Sequence, residues 1–227
     1  LFGPLPPLAD SSRFPPSAGP KGSDEEQAAW ESMSEADRQA VDRVFSNAGK
    51  AIAAYERLIR PGRAPFDEFV SATLAGEAQR AQQVLDEAAI EGLRFFLGDG
   101  QCVQCHSGPL LTNREFHAIG VPSPPGADFD RGRADGALEA LGSPFSCLGP
   151  HSDADEADCV ERRFLKTEGA ELLGAMKVPT LRNIADTPPY MHAGQKATLR
   201  DDFEHYSSAP IPSNGHTDLI PLSLTDK

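Results

Sequence analysis

Apolar residues recur at helical spacing in three stretches of the chain, and each stretch predicts a helix. In the first stretch, the apolar positions lie three or four residues apart: Val41, Val44, Phe45, Ala48, Ile52 and Tyr55. This is the spacing of one face of an α-helix. Ser34, followed by Asp37, provides a hydroxyl that can cap the amides of the first turn. The pattern therefore predicts a helix over residues 35–59, ended by Pro61-Gly62.

The second stretch covers residues 78–97 and predicts another long helix. Its inward positions are apolar: Val84, Leu85, Ala88, Leu93, Phe96 and Leu97. Gly98 and Gly100 follow at once, and glycine both ends helices and frees the backbone to bend. Just before this stretch, residues 66–70 are interpreted as a short apolar turn.

The third stretch begins at Thr198 and predicts a short helix. At one residue per 100°, Leu199, Phe203 and Tyr206 fall within about 60° of one another on its surface. The spacing therefore turns Tyr206 inward with the other two. It turns His205 away from the core.

Proline dominates the beginning of the chain. Residues 1–26 contain six prolines, and proline fixes φ and removes a backbone donor. Residues 1–26 are therefore interpreted as an extended segment laid on a surface or as a linker. The whole connecting segment is expected to cover residues 1–33, with Trp30 packing as a lid on the helix that follows. Residues 34–227 are expected to form one domain. The predicted fold is mainly α, with long ordered loops that include residues 107–122, 122–136 and 177–194.

Composition and charge narrow the class of protein. The chain has 227 residues, of which 39% are hydrophobic, so it can bury a core and is globular. It has no run of eighteen apolar residues, which predicts that it does not span a membrane. The net charge of −13 argues against nucleic acid as a partner and leaves room for a basic one.

Cys102, Cys105 and His106 form a C-x-x-C-H motif, the attachment signature of a c-type haem. Two thiols on one turn can each bond to a vinyl group of the porphyrin, and the next residue becomes the proximal ligand of the iron. A redox C-x-x-C and half of a zinc site are the alternatives. The redox motif belongs in a β-α-β pattern, which the chain lacks, and zinc would need a second Cys/His pair. The sequence therefore predicts one covalent haem c, with His106 on the iron.

The other two cysteines indicate an oxidising compartment. Cys147 and Cys159 flank an acidic stretch without periodicity, and a disulfide between them would close this loop. Two free buried thiols are the alternative. Covalent haem and a disulfide together suggest export to the periplasm. Because the chain lacks an initiating Met and a signal peptide, we interpret it as a mature or trimmed form.

Several residues after the motif have two interpretations each. His117 is either a polar group near the haem or a buried histidine with satisfied hydrogen bonds. Arg131 and Arg133 can pair with haem propionates or with acidic neighbours on the same stretch. Four apolar side chains can cover the porphyrin: Leu110, Leu111, Phe116 and Ile119.

The chain resembles the bacterial dihaem cytochrome c peroxidases, and especially their MauG-like branch. The resemblance rests on three segments in the same order. These are Cys102-Val103-Gln104-Cys105-His106 with Ser107-Gly108-Pro109, then Phe116-His117-Ala118-Ile119-Gly120-Val121-Pro122, and finally Lys177 to Asn183 with Thr187-Pro188-Pro189-Tyr190-Met191-His192-Ala193-Gly194. With the helix at 35–59, the similarity covers nearly the whole chain and implies a cytochrome c-like haem domain.

One departure from the family is large. The family carries two C-x-x-C-H sites in tandem domains, and this chain has one. The resemblance implies that the chain is the segment between the haems plus the C-terminal haem domain. The N-terminal haem that reacts with peroxide is then missing either by trimming or because it resides on another polypeptide.

Its expected function is therefore that of the C-terminal haem half of a peroxidase or MauG-like oxidoreductase that uses hydrogen peroxide. The haem would store electrons or pass them to a second haem. Expected partners are a second haem domain and either a small redox protein as electron donor or a protein substrate. A single-haem electron-transfer domain without peroxidase activity is the alternative.

The resemblance also implies a calcium ion, bound partly by the backbone carbonyls of Thr187 and Pro189. The alternative is that this segment only packs on the haem.

Five residues are candidates for the sixth ligand of the iron: Met176, Met191, His192, His205 and Tyr206. The family's axial residue lies fourteen positions after the histidine that matches His192, which is Tyr206. In the family that position holds Met in the peroxidase branch and Tyr in the MauG-like branch. The alternative is that Tyr206 is a core tyrosine bonded to a carbonyl.

Overall fold

The computed structural model describes residues 4–212 and 216–222, and these fold mainly as α-helices with one small sheet. They form two compact units. The first contains the described residues up to Arg60 together with Ser143–Val160, and the second contains Pro61–Gly142 with the described residues from Glu161 onward. The predicted boundary at residues 33 and 34 lies inside the first unit and stays a prediction. No helix among the described residues is long and apolar enough to cross a membrane.

The first unit begins with a helix that the sequence did not predict. Helix α1 (Asp24–Ser32) starts after Ser23, whose hydroxyl accepts a bond from the Glu26 amide while the Glu26 carboxylate accepts one from the Ser23 amide. The extended conformation expected over residues 1–26 is therefore wrong at residues 24–26, which lie in α1. Because the prolines end at position 20, the capping box is free to start a helix. Trp30 lies inside α1.

The next helix confirms the first predicted start. Helix α2 (Glu35–Glu56) begins after Ser34, whose hydroxyl accepts a hydrogen bond from the Asp37 amide. Its apolar face is exposed over much of its length, because Phe45, Ile52 and Tyr55 are 65%, 59% and 65% exposed. The helix has a wider apolar stripe than its own unit covers.

The loop closed by the second pair of cysteines lies against α2. The structure joins Cys147 and Cys159 by a disulfide, with the Cα atoms 5.8 Å apart. Just before this loop, the Phe145 ring lies 5.0 Å from the Phe45 ring. Nearby, the Lys50 ammonium is 2.8 Å from an oxygen of Asp153. The predicted pairing therefore fixes a loop that packs on a helix of the same unit.

The second unit begins with three helices, α3 (Pro65–Leu74), α4 (Ala78–Val84) and α5 (Glu87–Leu97). The expected turn at residues 66–70 is wrong, because these residues lie in α3. Pro65 occupies its first turn, where proline is tolerated. The Asp67 carboxylate accepts a bond from the amide that precedes the helix.

The single helix expected over residues 78–97 is also wrong. Leu85 is extended, and the Asp86 carboxylate accepts a hydrogen bond from the Ala89 amide at 2.8 Å. An aspartate that caps a new helix competes with continuation of the previous one. The helical spacing of apolar residues therefore continues across the break between α4 and α5, and the cap at Asp86 explains the break.

The rest of the second unit combines short elements around the predicted site. Strands β1 (Phe116–Ala118) and β2 (Ala175–Lys177) pair antiparallel, with His117 opposite Met176. Strand β1 and the first turn of helix α6 (Arg133–Gly142) lie in stretches expected to be loop. The last helix, α7 (Leu199–Ser208), begins at Thr198 with a capping box, as predicted. The 3₁₀ turns among the described residues are Cys102–Gln104, Glu156–Phe164, Ala170–Leu172 and Ile184–Asp186, of which Glu156–Phe164 begins in the first unit.

Removing the disulfide should destabilise the protein. Because the bond limits the freedom of the unfolded chain, Cys147→Ala with Cys159→Ala should lower the free energy of unfolding by about 3 kcal/mol. Urea unfolding measures the change, with Ala154→Ser in the same loop as a control. Thiol labelling of the unfolded wild type should show two more thiols after reduction than before. Equal labelling before and after reduction would contradict the pairing.

Candidate haem-attachment site

The motif is attached directly to the end of helix α5. The Gly100 amide donates to the Phe95 carbonyl at 2.8 Å. A Cβ atom at Gly100 would lie only 2.6 Å from the Phe95 ring, so a side chain at this position would force the ring or the turn to move. Glycine here lets the chain pass closely over α5 and enter the 3₁₀ turn that carries Cys102.

The two motif thiols lie on one turn and are half-buried. The amides of Cys105 and His106 both donate to the Cys102 carbonyl, at 3.3 and 2.8 Å. Burial raises the pKa of both thiols, and for Cys105 the charge of Asp218 raises it further. A reactive redox C-x-x-C needs a thiol with a lowered pKa, so these shifts disfavour that alternative. The described residues contain no group of three or more His, Cys, Asp or Glu side chains placed to hold a metal ion.

His106 is oriented by a backbone carbonyl. Its Nδ1 lies 3.0 Å from the Leu111 oxygen. Since a carbonyl only accepts, Nδ1 carries the proton and Nε2 keeps the lone pair that a metal needs. Burial is the main influence on the pKa of His106 and lowers it, which favours the neutral, ligating form. Two thiols on one turn followed by an imidazole are the donor set of a c-type haem, so the residues present fit that group.

The loop that carries the Leu111 carbonyl is held by a distant segment of the chain. The Thr180 hydroxyl donates to the Leu110 carbonyl at 2.5 Å, and the Thr112 hydroxyl donates to the Val178 carbonyl at 2.7 Å. The apolar residues expected to cover the porphyrin surround this loop, and two of them, Leu110 and Phe116, are partly exposed.

Helix α7 buries different side chains from those predicted. His205 was expected to point away, but it is 5% exposed and its Nε2 lies 2.6 Å from the Ile119 carbonyl. Phe203 was expected to point inward, but it is 60% exposed. The helical angle alone cannot place these residues, because the face that is buried depends on where the chain supplies a carbonyl partner.

Tyr206 shares its surroundings with the motif. Burial raises the pKa of Tyr206 to about 12, with further contributions from the charges of Asp202, Cys105 and Cys102. The phenol and the two thiols are therefore close enough for their charges to interact. No hydrogen bond involves the Tyr206 hydroxyl within the described part of the chain. The carbonyl partner required by the alternative of a core tyrosine is thus not found among these residues.

Three other ligand candidates have the following surroundings. Met176 lies in β2, opposite His117. Met191 has a positive φ of 67°, and its carbonyl accepts a bond from the Gly194 amide. His192 is half-exposed, with its Nε2 3.5 Å from an oxygen of Asp130.

His117 lies near the motif and also has hydrogen-bonding partners. Its Nδ1 is 3.3 Å from an oxygen of Asp218, which also accepts a bond from the Ala118 amide. The charge of His117 contributes to the lowered pKa of His106, which places the two imidazoles in one region. Both interpretations of this residue therefore describe part of its environment.

The two arginines near β1 have local contacts. Arg131 forms an ion pair with Asp135 at 2.8 Å, and the Arg133 guanidinium lies 4.2 Å from the centre of the Phe116 ring. A role for either side chain at haem propionates stays a prediction.

The segment expected to bind calcium contains backbone oxygens without partners. Within the described residues, neither the Thr187 nor the Pro189 carbonyl accepts a hydrogen bond. The Thr187 amide donates to the Ile184 carbonyl, and the Pro188–Pro189 peptide is cis. Carbonyl oxygens are suitable ligands for calcium, so the residues present fit the expected ion.

Comparison with known proteins finds relatives of this chain among peroxidases and MauG proteins. The chain is 29% identical over 189 residues to a cytochrome c peroxidase of Denitromonas iodatirespirans, covering 81% of this chain and 46% of the relative. It is 31% identical over 169 residues to the cytochrome c551 peroxidase of Nitrosomonas europaea, covering 74% of this chain and 38% of that one. The methylamine utilization protein MauG of Methylophilus methylotrophus is 27% identical over 164 residues, covering 71% of this chain and 37% of MauG. The chain is related to the cytochrome c peroxidases and MauG.

This relationship confirms the resemblance inferred from the motifs. The chain spans about half the length of the first relatives, 46% and 45%. A solved MauG-like protein associated with microbial copper homeostasis overlaps 88% of this chain and 52% of its own, with 23% identity and a TM-score of 0.47. No protein-family model matches the chain.

Replacing His205 should test whether α7 depends on its carbonyl partner. His205→Phe leaves the Ile119 carbonyl without its donor, so we expect the free energy of unfolding to fall by about 1–3 kcal/mol. Urea unfolding measures this, and Glu204→Gln on the exposed side of the same helix is the control. A change of less than about 0.5 kcal/mol in His205→Phe, typical of a surface position, would contradict the contact.

Proposed function

We propose that this chain is the C-terminal haem half of a cytochrome c peroxidase or MauG-like oxidoreductase that uses hydrogen peroxide. Cys102 and Cys105 would hold haem c covalently, and His106 would be its proximal ligand. The donor set on a single turn, with Nδ1 of His106 bonded to a carbonyl, is the observation that carries the proposal. When bound, the haem supplies one-electron storage and transfer.

The protein residues give this haem a fixed and partly dry setting. The Leu111 carbonyl holds the imidazole of His106 in one tautomer and one direction. The apolar side chains of the loop around it can exclude water from one side. These are the properties that an electron-transfer haem needs from its protein.

Tyr206 is proposed as the second protein ligand that would bind the haem iron, besides His106. Its hydroxyl has no hydrogen-bond partner among the described residues, and the charges of the motif thiols act on it. The raised pKa belongs to the phenol without a metal, and bonding to ferric iron would favour loss of its proton. A tyrosine in this position supports the MauG-like branch over a plain peroxidase.

The remaining partners follow from the length of the relatives. Because the chain corresponds to about half of them, we propose that a second haem domain reacts with peroxide and exchanges electrons with this one. A small redox protein or an oxidised protein substrate would supply the electrons. The net charge of −13 suits a donor with a basic face. Covalent haem and the disulfide support a periplasmic location.

Counting haems on the complete polypeptide tests whether a second haem domain accompanies this one. We expect two covalent haems on the native protein by pyridine haemochrome assay and intact mass, and one of them on residues 1–227. Cys102→Ala with Cys105→Ala should remove that one alone. A complete polypeptide with a single haem and no reduction of peroxide would instead support a simple electron-transfer domain.

Replacing Tyr206 tests the axial ligand. Tyr206→Phe removes the only oxygen that the side chain can offer to iron, so the electronic and resonance Raman spectra should lose their tyrosinate features. Met191→Leu is the matched control and should leave the spectra unchanged. Unchanged coordination in Tyr206→Phe, with a change in Met191→Leu, would assign the ligand to Met191.

The proposed calcium ion, with Thr187 and Pro189 as carbonyl ligands, is tested by chelation. Treatment with a chelator followed by titration should show saturable calcium binding to the complete protein. Magnesium should bind more weakly, because it dehydrates reluctantly and requires a tighter site. A calorimetric titration without heat would contradict this site.

A further inference from the structure

Asp67 and Arg182 form an ion pair that differs from the other pairs of the second unit. Two guanidinium nitrogens of Arg182 each lie 2.8 Å from a different oxygen of Asp67. The Arg182 side chain is only 12% exposed and the Asp67 side chain 26%. Such a two-pronged contact is geometrically specific as well as attractive. The side-chain hydrogen bond from Arg182 is the largest influence on the pKa of Asp67, which falls to about 2.

The same guanidinium also holds the loop next to the motif. Nε and one terminal nitrogen of Arg182 lie 2.9 and 2.6 Å from the Pro109 carbonyl. Asp67 in turn accepts a bond from the Ala64 amide at the start of α3. Arg182 therefore ties three parts of the chain together: its own segment, the start of α3, and the loop that follows the motif.

That loop carries the carbonyl that orients His106. Pro109 is bonded to Arg182, Leu110 accepts from Thr180, and Leu111 accepts from the His106 imidazole. Three consecutive carbonyls are thus held by side chains. Only one rotatable backbone unit separates each carbonyl from the next, so movement of Pro109 would displace the Leu111 oxygen.

We propose that Asp67 and Arg182 are positioning residues for the proximal histidine, fixing the carbonyl to which His106 Nδ1 donates. The inference rests on the proposed attachment of haem at this motif. Neither residue contacts the imidazole, and both act through residues 109–111.

The pair should influence the electron affinity of the iron. Donation from Nδ1 to a carbonyl raises the basicity of the other ring nitrogen, and a more basic ligand stabilises the oxidised metal. If the Leu111 carbonyl is free to move, this hydrogen bond weakens, and the reduced iron becomes more stable relative to the oxidised iron. Loss of the pair should therefore shift the iron toward the reduced form.

A pair on the neighbouring position offers a matched control. Glu68 follows Asp67 on α3 and bonds Arg80 at 2.8 Å, but these side chains are 48% and 57% exposed. Exposed pairs contribute little to stability, and this one makes no contact with residues 109–111 among the described hydrogen bonds.

Arg182→Lys is the decisive variant, because it keeps the positive charge and loses the planar fork. In spectroelectrochemistry of the haem-loaded protein, we expect the ratio of reduced to oxidised iron at fixed potential to rise at least threefold, equivalent to about 28 mV for a one-electron couple. Asp67→Asn should shift the ratio in the same direction. Arg80→Lys, the same exchange in the exposed pair, should leave it unchanged.

A second variant tests the loop while both side chains of the ion pair stay unchanged, although the Thr180 hydroxyl also accepts a hydrogen bond from the Arg182 amide. Thr180→Val removes the hydroxyl that holds the Leu110 carbonyl and should also raise the ratio, so the inference stays testable if Arg182→Lys does not fold. If stability falls while the ratio is unchanged in both Arg182→Lys and Thr180→Val, the pair is structural only and the inference is wrong. Absence of covalent haem from the wild type would instead refute the proposed function.

Discussion

The bond between His106 Nδ1 and the Leu111 carbonyl is the constraint on which the site depends. It decides which ring nitrogen is available to iron, and it couples the direction of the imidazole to the position of a loop. A surface loop is ordinarily the most mobile part of a fold. The second unit counters this by bonding the loop to a segment some seventy residues further along, through Thr112, Thr180 and Arg182. The rigidity of the site is therefore supplied from outside the motif.

The same arrangement explains why the short strands matter. Strands β1 and β2 bring the chain after the motif beside the chain that leads to Thr180. Without this pairing, the hydroxyl and guanidinium contacts would need to form between two unsupported loops, each losing its conformational entropy separately. Helix α7 is fixed to the same region through the bond from His205 to the Ile119 carbonyl. The sheet is small, but it aligns the chain after the motif with the segment that leads to Thr180.

Local signals in the sequence were sufficient for some elements and not for others. The starts of α2 and α7 are readable because Ser34 and Thr198 cap amides within three residues of themselves. The C-x-x-C-H motif is equally local. The break before α5 was missed because the apolar period continues through it, although Asp86 carried a usable capping signal. The burial of His205 and the pairing of Asp67 with Arg182 depend on partners 86 and 115 residues away. A single sequence contains no local pattern from which such long-range contacts can be predicted.

Acid–acetone extraction shows whether Cys102 and Cys105 hold a haem covalently. Thioether bonds survive unfolding, so the haem absorbance should stay with the precipitated chain. The absorbance should map to the peptide that contains both cysteines. Haem that moves entirely into the organic phase would refute covalent attachment.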